Sequence, residues 1–436
     1  MVKPMGILRA SVSKVEITPP VGIPLGGFAA RTAPSQGLND GLYAKALVLN
    51  DGRTTAILIV ADVLTLPSEI VDGVRASVRR NLGVSPTNVM VAATHTHSGP
   101  ETLGIFTNLE DPLLRAYMKV LEAHLSGVAF MAFNKMAEAS FGVGKGRVRI
   151  GFNRRKPEGP VDEELGVIRL DGTLGVPKAA LVNYSCHPVV LGSENLLISA
   201  DYPGFMNRTL EGAMGGDFTS IFTNGADGDV NPISCKGYAC HGSFRDAQRL
   251  GSILAGEAIK VLGESETFHE ACIRTSSEVQ WIVLGEPPIA EAERSLKDEE
   301  EILEELRRKG APQEDLARHE AILRYYLRNL ELLRKEPKEM KVPIEVQIIT
   351  INDVALIGVP GELFVEIGLE IKAKSPLKNT FIVGYAGGYV GYMPTRKAFE
   401  EGGYEPTRTW WNRTSPEIGD AVKESALRQL EALEAF

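Results

Sequence analysis

A chain of 436 residues, 44% apolar and 24% charged, is long enough for one large or two ordinary domains with a substantial core. A formal net charge of −9 without a basic stripe argues against nucleic acid as a partner. No run of about 18 apolar residues is present to span a bilayer. The N-terminal stretch MVKPMGILRASVSKVEITPP is broken by Pro4 and Arg9 and is too short for a signal peptide, so the chain is expected in the cytoplasm. Of the cysteines Cys186, Cys235, Cys240 and Cys272, the pair Cys235 and Cys240 is read as buried thiols, ahead of a bridge or half of a metal site.

In chain order, residues 8–12 and 15–17 alternate as strands. Two apolar strands, 42–49 and 56–60, follow around an Asn50-Asp51-Gly52 hairpin turn. The Gly- and Pro-rich segment between the first and second pairs, GIPLGGFAARTAPSQGLND, reads as a surface connection or as backbone approaching a ligand. An amphipathic helix is predicted over 68–81, with Ser68 as N-cap and Gly83 as stop. Asn88 to Ala93 reads as a buried strand running into Thr94-His95-Thr96-His97-Ser98-Gly99-Pro100, which holds two of the chain's 7 histidines. In a strand those two side chains share one face, so His95 and His97 are expected to emerge together where the strand meets the Ser-Gly-Pro loop, and such an imidazole pair can anchor zinc with ligands from elsewhere.

Helical spacing covers 111–139, with His124 on a helix face. A glycine-broken strand over 140–156 ends in Asn153-Arg154-Arg155, and a hairpin over 167–184 delivers Asn183-Tyr184-Ser185-Cys186-His187-Pro188. This is a second histidine at the end of an apolar strand, and a natural third ligand. The strand 219–223 opens into the acidic, glycine-rich loop Asn224 to Pro232, whose spacing is not that of an EF-hand and which reads as a turn lining a pocket. A helix follows over 244–262. Residues 288–340 change texture to a charged helical hairpin turning at Gly310-Ala311-Pro312. We read it as an arm that either covers the site or makes a homo-oligomer contact, with His319 inert on its surface. Strands 344–351 and 354–359 lead to Pro360-Gly361-Glu362 at the start of a helix. The strand 381–383 precedes a tyrosine- and glycine-dense pocket wall, Gly384 to Thr395, and a helix over 416–434 closes the chain.

The motifs THTHSGP, NYSCHP with ISADYPG, NGADGDVNP, PGE, and YVGYMPT with GGYE, in this order, resemble the N-terminal catalytic domain of the neutral/alkaline ceramidase family. GFAARTAPSQGLNDGLYAKALVLND near the start fits as well. The expected fold is mixed α/β, layered strands and helices with a metal site at strand ends and the hairpin 288–340 inserted. Residues 1–436 would form one catalytic domain without the family's C-terminal immunoglobulin-like domain. The resemblance implies one zinc per chain, held by His95, His187, Glu362 and Tyr392 with a water completing the coordination. It places His97, Arg154 and Tyr404 beside the substrate amide. Additional magnesium or calcium is left open. Without the resemblance, His97 would be the third ligand.

The family's serine next to the zinc water is Asn231 here, which can hydrogen-bond but cannot be a hydroxyl nucleophile. No pocket-lining stretch is long and apolar enough for a lipid groove. The expectation is therefore a zinc-dependent hydrolase in which a metal-bound water attacks an N-acyl amide smaller or more polar than ceramide. The alternatives are an esterase or lactonase on the same site and a non-catalytic binding protein. A two-metal site using Asp62, Asp201, Asp227 or Asp229 is disfavoured, because only His97 remains to supply it with nitrogen.

Overall fold

The computed structural model describes residues 5–107 and 111–435; the first four residues of the stretch weighed as a signal peptide lie outside these. Among the described residues the largest sheet has eight strands. In chain order they are β1 (Arg9–Glu16), β2 (Tyr43–Asn50), β3 (Thr55–Ala61), β4 (Val89–Ala93), β5 (Ala137–Arg147), β6 (Glu164–Gly172), β7 (Pro177–Tyr184) and β8 (Thr219–Asn224). Their spatial order is β8-β7-β6-β5-β1-β2-β3-β4. A four-stranded sheet, in the order β9 (Ile273–Leu284), β10 (Met340–Ile351), β11 (Val354–Gly358) and β12 (Asn379–Val383), packs on one face of it. Leu47, Met90, Ile168 and Leu181 meet Ile349, Leu356 and Phe381 in the layer between the sheets.

The other face of the large sheet carries α1 (Ser68–Leu82), α2 (Pro112–Asn134), α3 (Asp201–Met214) and α4 (Phe244–Glu264). The outer face of the small sheet carries α7 (Val365–Lys374) and α9 (Ile418–Ala435), counting α5 (Ile289–Arg308) and α6 (Gln313–Leu333) as the hairpin and α8 (Arg396–Glu401) as a short connection. The mixed α/β, layered architecture is the expected one. Strand β2 explains the apolar runs: Ala44, Ala46 and Val48 face the helices while Leu47 and Leu49 face the second sheet. Both faces are dry, so the strand does not alternate with polar residues.

The structure corrects several local expectations. Pro67, not Ser68, occupies the N-cap of α1, while Gly83 does end it, at φ 70° with its N–H on the Arg79 carbonyl. Helix α2 is capped by Asp111 and stops at Asn134, short of residue 139, because Ala137 and Glu138 pair with Ala10 and Arg9 in the sheet. Glu362 does not open a helix. It lies in a two-residue strand, and α7 begins at Val365. Strand β9 has no counterpart among the expected elements: Arg274 to Glu278 are polar and only the half from Val279 to Leu284 is largely apolar, yet the whole strand is in register with β10 from Ile273↔Ile351 to Leu284↔Met340. Cys235 and Cys240 are joined as a disulfide rather than left as thiols. The hairpin forms as expected, and His319 pairs with the buried Glu299 at 2.7 Å across its two helices.

What organises the functional region is a repeated pattern. Within these two sheets neighbouring strands run parallel in three places, β3 with β4, β7 with β8, and β11 with β12. The C-terminal ends of these pairs meet at one edge of the sandwich. Ala386, beyond β12, bridges to Ala92 in β4, and the Gly384 N–H reaches the Asn224 carbonyl at the end of β8. Carboxyl ends of parallel strands are where open α/β sheets leave room for ligands.

Candidate metal centre

His95 follows β4, His187 follows β7, and Glu362 follows β11, so each parallel pair contributes one side chain. The two histidines of THTH do not sit on one strand face. The strand ends at Ala93, and His95 adopts φ 67°, a left-handed conformation that is costly outside glycine. Its N–H is fixed to the Val63 carbonyl at 3.0 Å, and its ring stacks on Tyr385 at 3.9 Å between centroids. This turn, rather than strand pleating, brings Nε2 of His95 and Nε2 of His97 to 3.1 Å. One possible metal ligand nitrogen from each of His95, His97 and His187 lies within 4.8 Å of the others.

The hydrogen bonds define which nitrogens are free. Nδ1 of His95 faces the Leu64 carbonyl at 2.8 Å, and Nδ1 of His187 faces the Asp227 carbonyl at 2.6 Å. A carbonyl only accepts, so both Nδ1 atoms carry hydrogen and, in the neutral rings, both Nε2 atoms present lone pairs. His187 Nε2 nevertheless lies 2.8 Å from Oε2 of Glu362, and His95 Nε2 lies 3.9 Å from its Oε1. Lone pairs this close require positive charge between them, either a proton or a cation. Nitrogen, nitrogen and carboxylate donors of this kind fit zinc.

Electrostatics follow from burial. Desolvation lowers the His95 imidazole to about 3, despite the nearby Glu362. Burial, with His95 and His187 as neighbours, likewise keeps His97 neutral. For Glu362 burial alone would raise the carboxyl, but His95 and the His187 hydrogen bond outweigh it and hold it at about 2. Burial also opposes charge on His187, and Asp227 and Glu362 overcome it, so this ring titrates above its ordinary value.

Tyr392 lies directly opposite Glu362 in a parallel two-strand bridge, which sends both side chains to the same face. Its ring sits 5.5 Å from the Arg154 guanidinium carbon and 5.6 Å from the Tyr404 ring. Arg154 is immobilised by Glu405 (2.9 Å), Asn231 Oδ1 (3.2 Å) and the Gly228 carbonyl (2.8 Å). Burial works against its charge, but Tyr392, Glu405 and Glu362 hold it firmly ionised. Asn231 is buried and also donates to the Gly237 carbonyl at 2.9 Å. Tyr404, 49% exposed, stands at the mouth. The structure thus gathers His95, His97, His187, Glu362, Tyr392, Arg154, Asn231 and Tyr404 in one region.

Three residues take supporting roles that the sequence does not assign: Tyr385 and Tyr389 are read there only as pocket wall, and Asp227 is weighed for a second metal. Tyr389 donates to Glu362 Oε1 at 2.5 Å, and Tyr385 donates to Asp227 Oδ1 at 2.9 Å. Asp227 holds His187 through its carbonyl, and burial pushes its own carboxyl up to about 7. The signal for the tyrosines is their density among glycines, but which one faces which carboxylate depends on a left-handed turn at Tyr385, φ 56°. The acids weighed for a second metal have structural partners: Asp62 accepts from the Tyr43 N–H, Asp201 from Leu191 and Tyr202, and Asp229 from Val365 and Asn153. The glycine-rich loop does approach the site. A Cβ on Gly27, φ 96°, would fall 2.4 Å from the His97 ring.

Residues 9–278 match the family described as neutral/alkaline non-lysosomal ceramidase, N-terminal. Neutral ceramidase B of Dictyostelium discoideum is 25% identical over 240 residues, 44% of this chain and 33% of that protein. Neutral ceramidase A of the same organism is 23% identical over 58% of this chain and 43% of its own length. The chain therefore spans less than half of these two relatives. A neutral ceramidase of Mycobacterium tuberculosis is 23% identical, covering 91% of this chain and 74% of its own. The crystal structure of neutral ceramidase from Pseudomonas aeruginosa superposes with a TM-score of 0.75 at 19% identity, over 98% of this chain and 74% of that one. A structure described as ceramidase complexed with C2 gives the same TM-score, 0.75, at 16% identity. The fold is shared with these structures, and the match over 9–278 makes the chain a member of the neutral/alkaline non-lysosomal ceramidase family.

Proposed function

We propose that this protein is a zinc-dependent hydrolase that cleaves an N-acyl amide smaller or more polar than ceramide. The observation that carries this reading is the convergence of imidazole nitrogens and the Glu362 carboxylate at the ends of three parallel strand pairs. In it, His95, His187, Glu362 and Tyr392 hold one zinc ion. Zinc, when bound, lowers the pKa of water towards about 7 and polarises a carbonyl.

The chain's own residues do the rest. Arg154, fixed by three acceptors and kept ionised, aims positive charge at the position where a carbonyl oxygen becomes an oxyanion. Tyr404 adds a donor from the mouth. His97 has no partner at Nδ1 and is neutral, so its ring offers both a donor and an acceptor for moving a proton between nucleophile and leaving amine. Asn231 contributes no nucleophile; its side-chain oxygen orients Arg154. The rings of Tyr238, Tyr392, Tyr404 and Trp411 cluster about the Arg154 guanidinium, and this surface favours a compact or polar substrate over a lipid tail.

The test is metal content by mass spectrometry together with hydrolysis of a short-chain N-acyl amide and an ester, in wild type, His187→Ala and Glu362→Gln. About one zinc per chain is expected in wild type, with metal and at least about 10³-fold of the amide hydrolysis lost in both variants. Full hydrolysis in metal-free variants would refute the proposal. Cleavage of the ester alone would move the activity to the esterase reading on the same site.

A further inference from the structure

The charged hairpin is solvated along most of its length, but one face of α6 contacts the rest of the fold. Arg318, Tyr325 and Asn329 are spaced by seven and four residues, which aligns them on one side of the helix. Arg318 reaches Glu194 Oε1 at 3.5 Å. Glu194 belongs to the segment after His187, and its neighbour Asn195 donates to Ser98 Oγ, beside His97, at 2.9 Å. Asn329 Oδ1 accepts the Trp410 N–H at 3.1 Å. Tyr325, between them, accepts from Trp411 Nε1 at 3.1 Å and lies 5.8 Å from the Phe106 ring.

These contacts place α6 on both banks of the metal centre. Trp411 stacks at 6.3 Å on Tyr389, the donor to Glu362, and Asn412 accepts the Tyr392 N–H at 2.7 Å. Phe106 lies on the loop leaving His95 and His97, held by Glu101 through three backbone N–H groups. At about 1.5 Å per residue, the stretch from Arg318 to Asn329 spans about 16 Å, so the helix touches both banks rather than one point. Trp411, bonded to Tyr325, also packs on Tyr389 and Tyr392 beside Glu362.

We propose that α6 forms the outer wall of the substrate cleft and that Tyr325 sets the length of apolar chain the site accepts, favouring short acyl groups. The inference rests on the zinc-hydrolase reading and deepens it. A phenol braced by Trp411 and Phe106 cannot swing aside without breaking those contacts, so a long chain meets a fixed ring. Shortening that side chain opens room for two or more methylenes.

The test uses the full chain loaded with zinc and straight-chain alkyl hydroxamic acids of increasing length, whose chelating head is constant. Affinities are measured by calorimetry, independently of turnover. Wild type is expected to favour the short members. In Tyr325→Ala the preference for long over short should rise by about tenfold, the equivalent of two newly buried methylenes. Tyr325→Leu should move it in the same direction if the alanine variant folds poorly. Tyr325→Phe, which keeps the ring, and Arg324→Ala, on the exposed side of α6, should keep the wild-type profile. An unchanged profile in zinc-loaded Tyr325→Ala and Tyr325→Leu overturns the wall and leaves the hydrolase reading intact. Wild type that takes up neither zinc nor the shortest hydroxamate overturns both.

Discussion

Glu362 and Glu305 each have a basic partner within 3 Å, and their circumstances are opposite. Glu362 lies 2.8 Å from His187, is 2% exposed, and has its other oxygen held by the Tyr389 hydroxyl. Glu305 lies 2.6 Å from Lys309 on an open face of α5. In the first case no water can replace a lost partner, so each remaining oxygen depends on a fixed neighbour. In the second, water and salt compete with the pair throughout, and little net stability results. The strand-end region therefore concentrates charge whose geometry matters, and the hairpin mostly disperses charge whose geometry does not, except at the buried Glu299 beside His319 and along the Arg318–Tyr325–Asn329 stripe of α6.

The largest effect that sharpens this contrast is on stability. Asp201 is fully buried behind the His187 loop, at φ 52°, and accepts the Leu191 and Tyr202 N–H groups. Desolvation pushes its carboxyl up to about 7, above the unfolded value of 3.8. A raised folded pKa gives stability that is fully present below the unfolded value and is lost as pH rises through 7. Asp201→Asn, which tolerates the left-handed backbone, removes that dependence. Between pH 5 and 8 the wild type should lose about 2–3 kcal/mol relative to the variant in urea unfolding. Parallel pH profiles for the two proteins would show that Asp201 remains ionised in the fold.

Tyr389→Phe probes the same dry environment with a smaller change. Deleting the hydroxyl leaves the ring on Trp411 but strips Glu362 Oε1 of its donor. Supporting partners of metal ligands typically contribute about 10–100-fold in metal affinity or activity. Zinc affinity measured against a competing chelator should fall within that range, with the unfolding midpoint little changed. A shift below about twofold would mean that Glu362 is oriented by His187 alone.

The same contrast explains what can be read from the sequence. Hairpin helices α5 and α6 are visible because apolar spacing and acid-base neighbours are local properties of a helix. His95, His187 and Glu362 are visible as chemistry at the ends of apolar strands, and the family resemblance supplies Tyr392. What stays hidden is set by tertiary contact. The left-handed turns at His95 and Tyr385, which aim the imidazole and the phenol, carry no glycine to announce them. Strand β9 is held as a strand through its polar first half, Arg274 to Glu278, by twelve residues of register with β10. Cys235 and Cys240 become a disulfide because the intervening turn brings their Cα atoms to 4.3 Å.

The smallest expected effect tests the other side of the comparison. Arg307 pairs with Glu320 at 2.8 Å across the hairpin, with both side chains substantially exposed. It touches neither the Arg318–Tyr325–Asn329 stripe nor the strand ends. Arg307→Ala should change stability by no more than about 0.5 kcal/mol, and the small difference should vanish at high salt, because an exposed pair exchanges one solvated arrangement for another. Hydrolysis and hydroxamate affinity should be unaltered. A loss well above about 1 kcal/mol that persists in salt would mean that surface pairing, rather than the Arg318–Tyr325–Asn329 stripe, holds α6 in place. The wall of the cleft would then depend on solvated charge, and the division between the strand ends and the hairpin would fail.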